Sequence, residues 1–382
     1  MKRAIVDLFV FLVLLMLFFP YMGDVGAAVF KMLGKYYYLI VMSICSVCIL
    51  LKTFFNPKQV MKKIGFKVLL LLALYLVYFL IFYNSTDNIL FGVLLFAFFT
   101  FSYLAFGDRN LRLVCETSTL VFYVFFVISL IKKCTYFNPN SYAFISTELY
   151  LWSIFLLQYL RKKPRIFLFI VNTMIGVVLT YVIYNSATQL ICVLGFAFLY
   201  LIRKWKFTNT KVFYYSAIFV LFFSLVVFPF IVTAFVDSGV LDVTFFTNRG
   251  GRWLQARDAI QSVGFFNVYT KKIGAHNGFL EMCLNYSTFI ALLYVLFLFV
   301  ILVRFYKVYR RDPRAKMLGF MFMIFILMNC TESFFIGLTD SYFLLIVLAC
   351  IVMRLKPIRL KRRVRVVRRR KVEKLVSQEH CL

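Results

Sequence analysis

The sequence predicts an all-α polytopic membrane protein with about twelve transmembrane helices and one large extracytoplasmic loop between the ninth and tenth helices. Hydrophobic residues make up 63% of the 382 residues, and the mean hydropathy is +0.89. This exceeds what the core of a soluble domain requires, and the apolar residues come in blocks long enough to cross a bilayer. Basic residues lie in the short segments between those blocks, as expected for membrane topology.

The predicted spans are the long apolar blocks of the chain. The blocks at 188–202 and 341–353 are shorter than the roughly 20 residues that a perpendicular helix needs, so tilted or re-entrant segments are alternatives there. The spans are predicted at about residues 5–22, 36–55, 66–83, 89–106, 113–131, 143–160, 166–184, 188–202, 212–236, 278–303, 317–336 and 341–353.

The distribution of basic residues predicts the orientation. If Met1 is cytoplasmic, the inward segments hold 35 of the 44 lysines and arginines and the outward segments hold 9. This bias predicts that both termini are cytoplasmic and that the loop at about 237–277 is extracytoplasmic. The net charge of +29 therefore reports topology, and no nucleic-acid partner is expected.

The two ends of the chain are predicted to differ in character. The start resembles a signal peptide, but the apolar run continues into Pro20 without a small-residue cleavage site, which favours a retained first span. We expect a transmembrane domain over residues 1–353. The strongly basic tail at 354–382 is expected to be disordered and attracted to anionic lipid of the inner leaflet.

Several familiar chemical signals are missing or have a structural explanation. Cys45 and Cys48 have CxxC spacing, but they lie inside an apolar block with no second pair nearby, which favours helix packing. No Gly-rich phosphate loop followed by Lys-Ser or Lys-Thr occurs, and no Asp-x-Asp pair is present. These observations argue against a nucleotide-driven pump and a metal-dependent transferase, and no metal site or cofactor is expected.

The large loop gathers three arginines, a tryptophan and the only histidine outside the tail. On a helix with 100° per residue, Arg249, Arg252, Trp253 and Arg257 fall within an arc of about 140°. One explanation is a helix lying in the membrane interface, with arginines on lipid phosphates. The other is a site for an amphiphile that carries a phosphate group, because the arginine fork matches phosphate oxygens.

Other polar residues are predicted at the same depth as this loop. Glu281 begins the tenth span and Glu332 lies near the end of the eleventh, while Asn138 and Asn140 precede the sixth. Ionisable residues in spans are costly and usually face a wet cavity. The cluster indicates a cavity open to the outer side, with interhelical hydrogen bonding as the alternative for each residue.

His276 and Asn277 lie immediately before the tenth span. Histidine exchanges a proton near neutral pH, so His276 is the first candidate for a general base, with Glu281 and Glu332 as further candidates. Asn277 is a candidate ligand, or it caps the helix that follows.

Three short motifs in this region resemble the superfamily of O-antigen ligases and O-antigen or capsule polymerases. They are Thr-Asn-Arg-Gly-Gly-Arg-Trp at 247–253, Gly-Ala-His-Asn-Gly-Phe-Leu-Glu at 274–281, and Asn-Pro-Asn-Ser-Tyr-Ala at 138–143. The order of these motifs and the span count agree with that superfamily. Two positions depart from it: the usual Ser-Arg between spans seven and eight is Ser-Ala-Thr-Gln at 186–189, and the usual Tyr-Gly-Ile turn is Tyr-Ser-Thr at 286–288.

The resemblance implies a glycosyltransferase in the bacterial cytoplasmic membrane that uses undecaprenyl-diphosphate-linked glycans without metal or nucleotide sugar. It also implies a chain-length regulator and a flippase of the same pathway as partners. The site residues expected to carry this chemistry are the base candidates His276, Glu281 and Glu332, and the substrate-binding candidates Arg249, Arg252, Arg257, Trp253, Asn138, Asn140 and Asn277.

The leading hypothesis is a polymerase that joins lipid-linked repeat units of an O-antigen or capsule. A ligase that moves finished glycan to another acceptor shares the donor, the leaving group and the base, so the sequence separates the two poorly. A flippase is disfavoured because the sequence lacks internal repeats and midplane charges. A structural scaffold gives no reason for Arg249, Arg252, Arg257 and His276 to share one loop.

Overall fold

The computed structural model describes residues 22–33, 108–135, 138–160, 165–269 and 273–332, together with single residues at 11, 19 and 40. All regular secondary structure within these ranges is helical. The α-helices are α1 (Gly23–Leu33), α2 (Asp108–Ile131), α3 (Pro139–Leu156), α4 (Arg165–Val177), α5 (Ala187–Ile202), α6 (Lys211–Phe222), α7 (Phe228–Asp237), α8 (Phe245–Val263), α9 (Gly278–Tyr286), α10 (Thr288–Tyr309) and α11 (Pro313–Thr331).

Five helical segments in the described part are long and apolar enough to cross a membrane, which confirms the predicted class of helical membrane protein. They are Leu111–Ile131, Arg165–Ile183, Lys211–Asp237, Thr288–Tyr309 and Pro313–Thr331. Helix α5 is apolar but shorter. The spans predicted at 5–22, 36–55, 66–83, 89–106 and 341–353 lie outside the described ranges, apart from single residues, as does the basic tail.

Helix α3 is buried along almost its whole length, although it carries several polar residues. It packs against α2, α4, α5 and α11. Ser146 donates to the Tyr142 carbonyl at 2.7 Å and Thr147 to the Ala143 carbonyl at 3.0 Å, one turn earlier in the same helix. Because these hydroxyls are satisfied locally, α3 buries Ser146 and Thr147 inside an apolar bundle at little cost.

The five spanning segments, together with α3 and α5, alternate in direction, so that their connections collect at two ends of the bundle. At one end, which we call the Glu332 end, Asn140 lies within 3.5 Å of Glu332, and Thr188 within 3.3 Å of Thr331. The start of α3, the start of α5 and the end of α11 therefore meet there. The turn before α8 and the loop before α9 lie at the same end.

The opposite end, which we call the Lys316 end, collects the basic connections. The Lys316 ammonium donates to the Arg203 carbonyl at 2.7 Å and to Thr208 Oγ1 at 3.1 Å. Tyr309 Oη also donates to the Thr208 carbonyl, at 2.9 Å. The basic residues at this end include Arg165, Arg203, Lys204, Lys206, Lys211, Arg304, Lys307, Arg310, Arg311, Arg314 and Lys316. This placement agrees with the alternation that the sequence predicts.

The span predicted as one helix over 278–303 is wrong, because the structure divides it into α9 and α10. Ser287 separates the two helices with a φ of 94°, in the left-handed region that interrupts a right-handed helix. The Ser287 hydroxyl accepts from the Ile290 N–H at 3.5 Å and so caps α10. Asn285 to Thr288 form a short polar run at this position, but the span prediction joins the apolar residues on both sides and so misses the break.

Two long spans contain π-helical turns. They cover Val178–Ile183, after α4, and Phe223–Val227, between α6 and α7. Pro229 follows the second turn and has no N–H to give to the Leu225 carbonyl four residues earlier. Turns of this kind are frequent at functional sites, because they leave backbone groups for other partners.

We expect Gly319→Ala to lower the thermal stability of the detergent-purified protein. A β-carbon at Gly319 would lie 2.8 Å from Cδ2 of Tyr309, whose ring is held by the bond from its hydroxyl to the Thr208 carbonyl. Overpacking of this kind costs about 1–3 kcal/mol, which exceeds the gain of up to about 1 kcal/mol in helix propensity. The measurement is the melting temperature, taken as the temperature at which the monodisperse peak of the purified protein is lost.

Gly195→Ala is the matched control, because a β-carbon there would lie at an ordinary 3.5 Å from Ile324. It should keep or raise the melting temperature. Equal melting temperatures for the two variants would contradict the close packing of α10 against α11.

Candidate active site

Helix α8 packs closely against the turn that precedes it because of two consecutive glycines. The Gly251 N–H donates to the Val243 carbonyl at 2.9 Å, and a β-carbon at Gly251 would lie 3.3 Å from the same oxygen. A β-carbon at Gly250 would lie 3.2 Å from the Val236 side chain. The glycines thus allow the segment that carries Arg249 and Arg252 to approach the end of α7.

Trp253 anchors α8 in the core. Its side chain is fully buried, and its ring meets that of Phe228 edge-on, with 6.2 Å between the centroids. Ala256 and Ile260, one and two turns later, are buried as well. This corrects the expectation that Trp253 binds substrate, and it equally disfavours a helix that lies in the membrane interface.

The loop between α8 and α9 is tied to the helices that follow it and reaches His276 in an uncommon conformation. The Tyr269 N–H donates to the Leu284 carbonyl at 3.0 Å, and the Ala275 N–H donates to Glu281 Oε2 at 2.8 Å. His276 has a φ of 49°, which is unusual for a residue other than glycine. Such conformations persist only where the surroundings enforce them, and they are frequent at active sites.

Asn277 provides that enforcement, with all of its side-chain hydrogen-bonding groups engaged within the protein. Its Oδ1 accepts from the Leu280 N–H at 3.0 Å and caps α9. Its Nδ2 donates to the Leu225 carbonyl at 3.2 Å and to the Cys330 carbonyl at 3.1 Å. Since the residue is also fully buried, it positions His276 rather than contacting a ligand.

Glu332, which follows α11, is the centre of the candidate site. Its Oε1 accepts from Arg249 Nη2 at 2.9 Å and lies 3.5 Å from Asn140 Nδ2, and its Oε2 lies 3.3 Å from His276 Nδ1. Arg249 Nε also donates to the Thr331 carbonyl at 3.0 Å. The Glu332 side chain is only 6% exposed, so this carboxylate is held by charged and polar partners instead of water.

The partners of the His276 ring define where its proton lies. Arg252 Nη1 contacts Nε2 of His276, while Nδ1 faces Glu332. A guanidinium is only a hydrogen-bond donor, so Nε2 must present its lone pair to Arg252. Nδ1 then carries the proton and donates it to the Glu332 carboxylate, the arrangement by which a carboxylate orients a histidine base.

The three loop arginines have different charge partners. Arg257 pairs with Asp258 at 2.9 Å and with Asp237 at 3.1 Å, and Arg249 pairs with Glu332. Arg252 is exposed and contacts no carboxylate among the residues that the structure describes. Arg252 is therefore the arginine of the three best placed to receive an anion.

The remaining sequence candidates lie around this centre. Asn138 caps α3 by accepting from the Asn140 N–H at 2.9 Å, which places the Asn140 amide beside Glu332. Glu281 supports the loop through the Ala275 N–H and does not reach the central cluster by a hydrogen bond. Burial raises the pKa of Glu281, although its bond from Ala275 and its proximity to His276 act in the opposite direction.

Sequence reasoning missed two features of the site. The central position of Glu332 depends on partners from α3, α8 and the loop, so its position at the end of a span did not single it out. Gly274 is exposed beside Arg252 and His276; the sequence placed it at the start of the motif at 274–281 but gave it no role of its own.

Comparisons with protein-family models, with curated proteins and with solved structures found no match for this chain. The resemblance stated above stays a prediction that rests on the three motifs. The arrangement of Arg252, His276 and Glu332 is a separate observation, made from geometry.

We expect Glu281→Gln to stabilise the protein at neutral pH and to keep the glycosyltransferase activity that the resemblance implies. The glutamine oxygen can still accept the Ala275 N–H, but no charge is buried. Because the folded-state pKa of Glu281 is raised, the stability that it contributes is greatest below its unfolded pKa and falls as pH rises through its folded pKa. The variant escapes this loss, so its advantage in melting temperature should be larger at pH 7 than at pH 4.5.

The matched control is Glu332→Gln, which also removes one carboxylate but leaves Arg249 without its ion-pair partner. It should destabilise the protein at pH 7. Loss of activity in Glu281→Gln at unchanged stability would instead make Glu281 the base.

Proposed function

We propose that the protein is a membrane glycosyltransferase that joins polyprenyl-diphosphate-linked oligosaccharide units into a polysaccharide. The observation that carries this proposal is the array of Arg252, His276 and Glu332. It combines a histidine oriented by a carboxylate with an arginine that has no carboxylate partner in the described part of the chain. Such an array suits a reaction in which a hydroxyl loses a proton while an anion leaves.

In the proposed reaction, the acceptor hydroxyl oxygen forms a bond to the anomeric carbon of the donor sugar. The bond from that carbon to the diphosphate oxygen breaks, and the diphosphate leaves with the electron pair on its lipid carrier. His276 Nε2 takes the hydroxyl proton, while Glu332 holds the proton on Nδ1 and stabilises the imidazolium. A placed base of this kind contributes about 10²–10⁴-fold to the rate.

Arginine side chains support the departure of the diphosphate. Arg252 presents a planar fork that suits phosphate oxygens, and a preorganised cation stabilises the charge that develops on the leaving group. Arg249 acts mainly through Glu332, because two of its nitrogens are bound to the Glu332 carboxylate and the Thr331 carbonyl. Arg257 lies outside the proposed site, since two aspartates neutralise it.

The surroundings of the array support a donor carried by lipid and a neutral sugar acceptor. The array lies at one end of a bundle of apolar helices, so a lipid-anchored donor would reach it by lateral diffusion. Asn138 and Asn140 form an uncharged rim beside Glu332, and amides suit sugar hydroxyls. We place the Glu332 end outside the cytoplasmic membrane, because the basic connections gather at the opposite end.

His276→Gln should lower the rate of chain growth by about 10²-fold or more, since glutamine can hold a hydroxyl but cannot take its proton. The measurement is elongation of undecaprenyl-diphosphate-linked repeat units by the purified full-length protein, with product length read on a gel. Arg257→Gln is the matched control: it removes a loop charge away from His276 and should keep the wild-type rate.

A wild-type rate in His276→Gln would contradict the base assignment. Transfer only to an acceptor without the lipid carrier would replace the polymerase with a ligase. Movement of the donor across vesicles without any transfer would replace both with a flippase.

The proposed orientation places Ser262, on the exposed side of α8, outside the cell. A maleimide that cannot cross membranes should therefore label Ser262→Cys in intact cells at least several-fold above the wild-type background. The five cysteines in the described ranges are buried, so these five add little to that background. Labelling that requires permeabilised cells would reverse the assigned orientation.

A further inference from the structure

The atom that the proposed function requires as the base is occupied in this structure. Arg252 Nη1 contacts His276 Nε2, and Nδ1 is engaged by Glu332. A lone pair that accepts from a guanidinium cannot accept a proton from a sugar hydroxyl at the same time. His276 is therefore well oriented but blocked in the state described.

The two partners of this contact differ in their freedom to move. His276 is held by Glu332, by its left-handed backbone and by the buried Asn277 that follows it. Arg252 is exposed, and a long side chain on the surface has many accessible rotamers. If the contact opens, Arg252 moves and His276 stays in place.

The described residues leave a space over Gly274 that adjoins both groups. A β-carbon at Gly274 would lie 3.9 Å from Arg252 Nη1 and 3.9 Å from His276 Nε2, which are ordinary contact distances. No third atom of the described residues lies within 4 Å of that point, apart from the immediate chain neighbours. Gly274 is itself exposed, so the space opens to the surface.

A diphosphate in this space would compete with His276 for Arg252. The bond from arginine to a neutral imidazole joins a cation to an uncharged acceptor. A bond to phosphate joins a cation to an anion and is often bidentate, which makes it stronger. Arg252 has no carboxylate partner in the described chain to hold it back.

On the basis of the proposed function, we propose that the donor diphosphate binds in the space over Gly274 and draws Arg252 away from His276 Nε2. The base is then unblocked only when the donor is in place. The acceptor hydroxyl must bind after the donor, and Gly274 is required because any larger side chain would fill the diphosphate position.

The test measures how fast His276 reacts with diethyl pyrocarbonate, which modifies an imidazole nitrogen that has an available lone pair. The full-length protein in detergent is treated with and without inorganic pyrophosphate, and the modified peptides are quantified by mass spectrometry. His380, in the tail, is the internal reference, because the chain has 2 histidines. Pyrophosphate binding is measured separately by calorimetry.

We expect pyrophosphate to raise the reactivity of His276 several-fold in the wild-type protein. Arg252→Ala should show the high reactivity without pyrophosphate. Gly274→Leu should show low reactivity with or without it, because the contact remains but the space is filled. Arg257→Gln, which removes a charge from the same helix, should respond as the wild type does.

Binding of pyrophosphate with unchanged or reduced reactivity of His276 would overturn this proposal and leave the proposed function standing. Equal reactivity in Arg252→Ala and the wild type would overturn it as well. Absence of pyrophosphate binding would overturn both proposals, because both depend on this anion site. Absence of chain growth in a wild-type protein that still binds pyrophosphate would overturn the proposed function.

Discussion

The site depends on the contacts that surround the buried carboxylate of Glu332. Arg249, His276 and Asn140 reach this carboxylate from α8, from the loop before α9 and from α3, and the carboxylate itself follows α11. An ionised carboxylate away from water is costly unless charged and polar groups surround it. The contacts from Arg249, His276 and Asn140 are therefore a condition for burying Glu332, and the contact with His276 also orients the histidine.

In the described part of the chain, most spanning helices followed from the sequence, because a bilayer requires continuous apolar stretches and basic residues report their ends. The predicted spans at 113–131, 166–184, 212–236 and 317–336 correspond to observed helices within a few residues. The division at Ser287 was missed, since the prediction included the short polar run from Asn285 to Thr288 in one long apolar block. A left-handed backbone leaves no trace in periodicity.

The sequence predicted which residues belong to the site, but it did not predict which of them contact one another. The helical arc that grouped Arg249, Arg252, Trp253 and Arg257 is wide enough to include both the core and the surface of α8. Local periodicity therefore could not tell that Trp253 is buried, that Arg257 meets aspartates and that Arg252 faces His276. The Arg249 to Glu332 contact joins residues 83 positions apart, and such pairings arise only from the packed fold.

Pro229, in the long span that contains α6 and α7, makes a distant residue necessary. Pro229 offers no donor to the Leu225 carbonyl, and the Asn277 amide supplies one. Related chains that exchange this proline for another residue would restore a competing donor and relax the demand for asparagine beside the histidine. Positions 229 and 277 are thus expected to covary during evolution. A substitution in a membrane helix would then change which residues are accepted in a loop far along the chain.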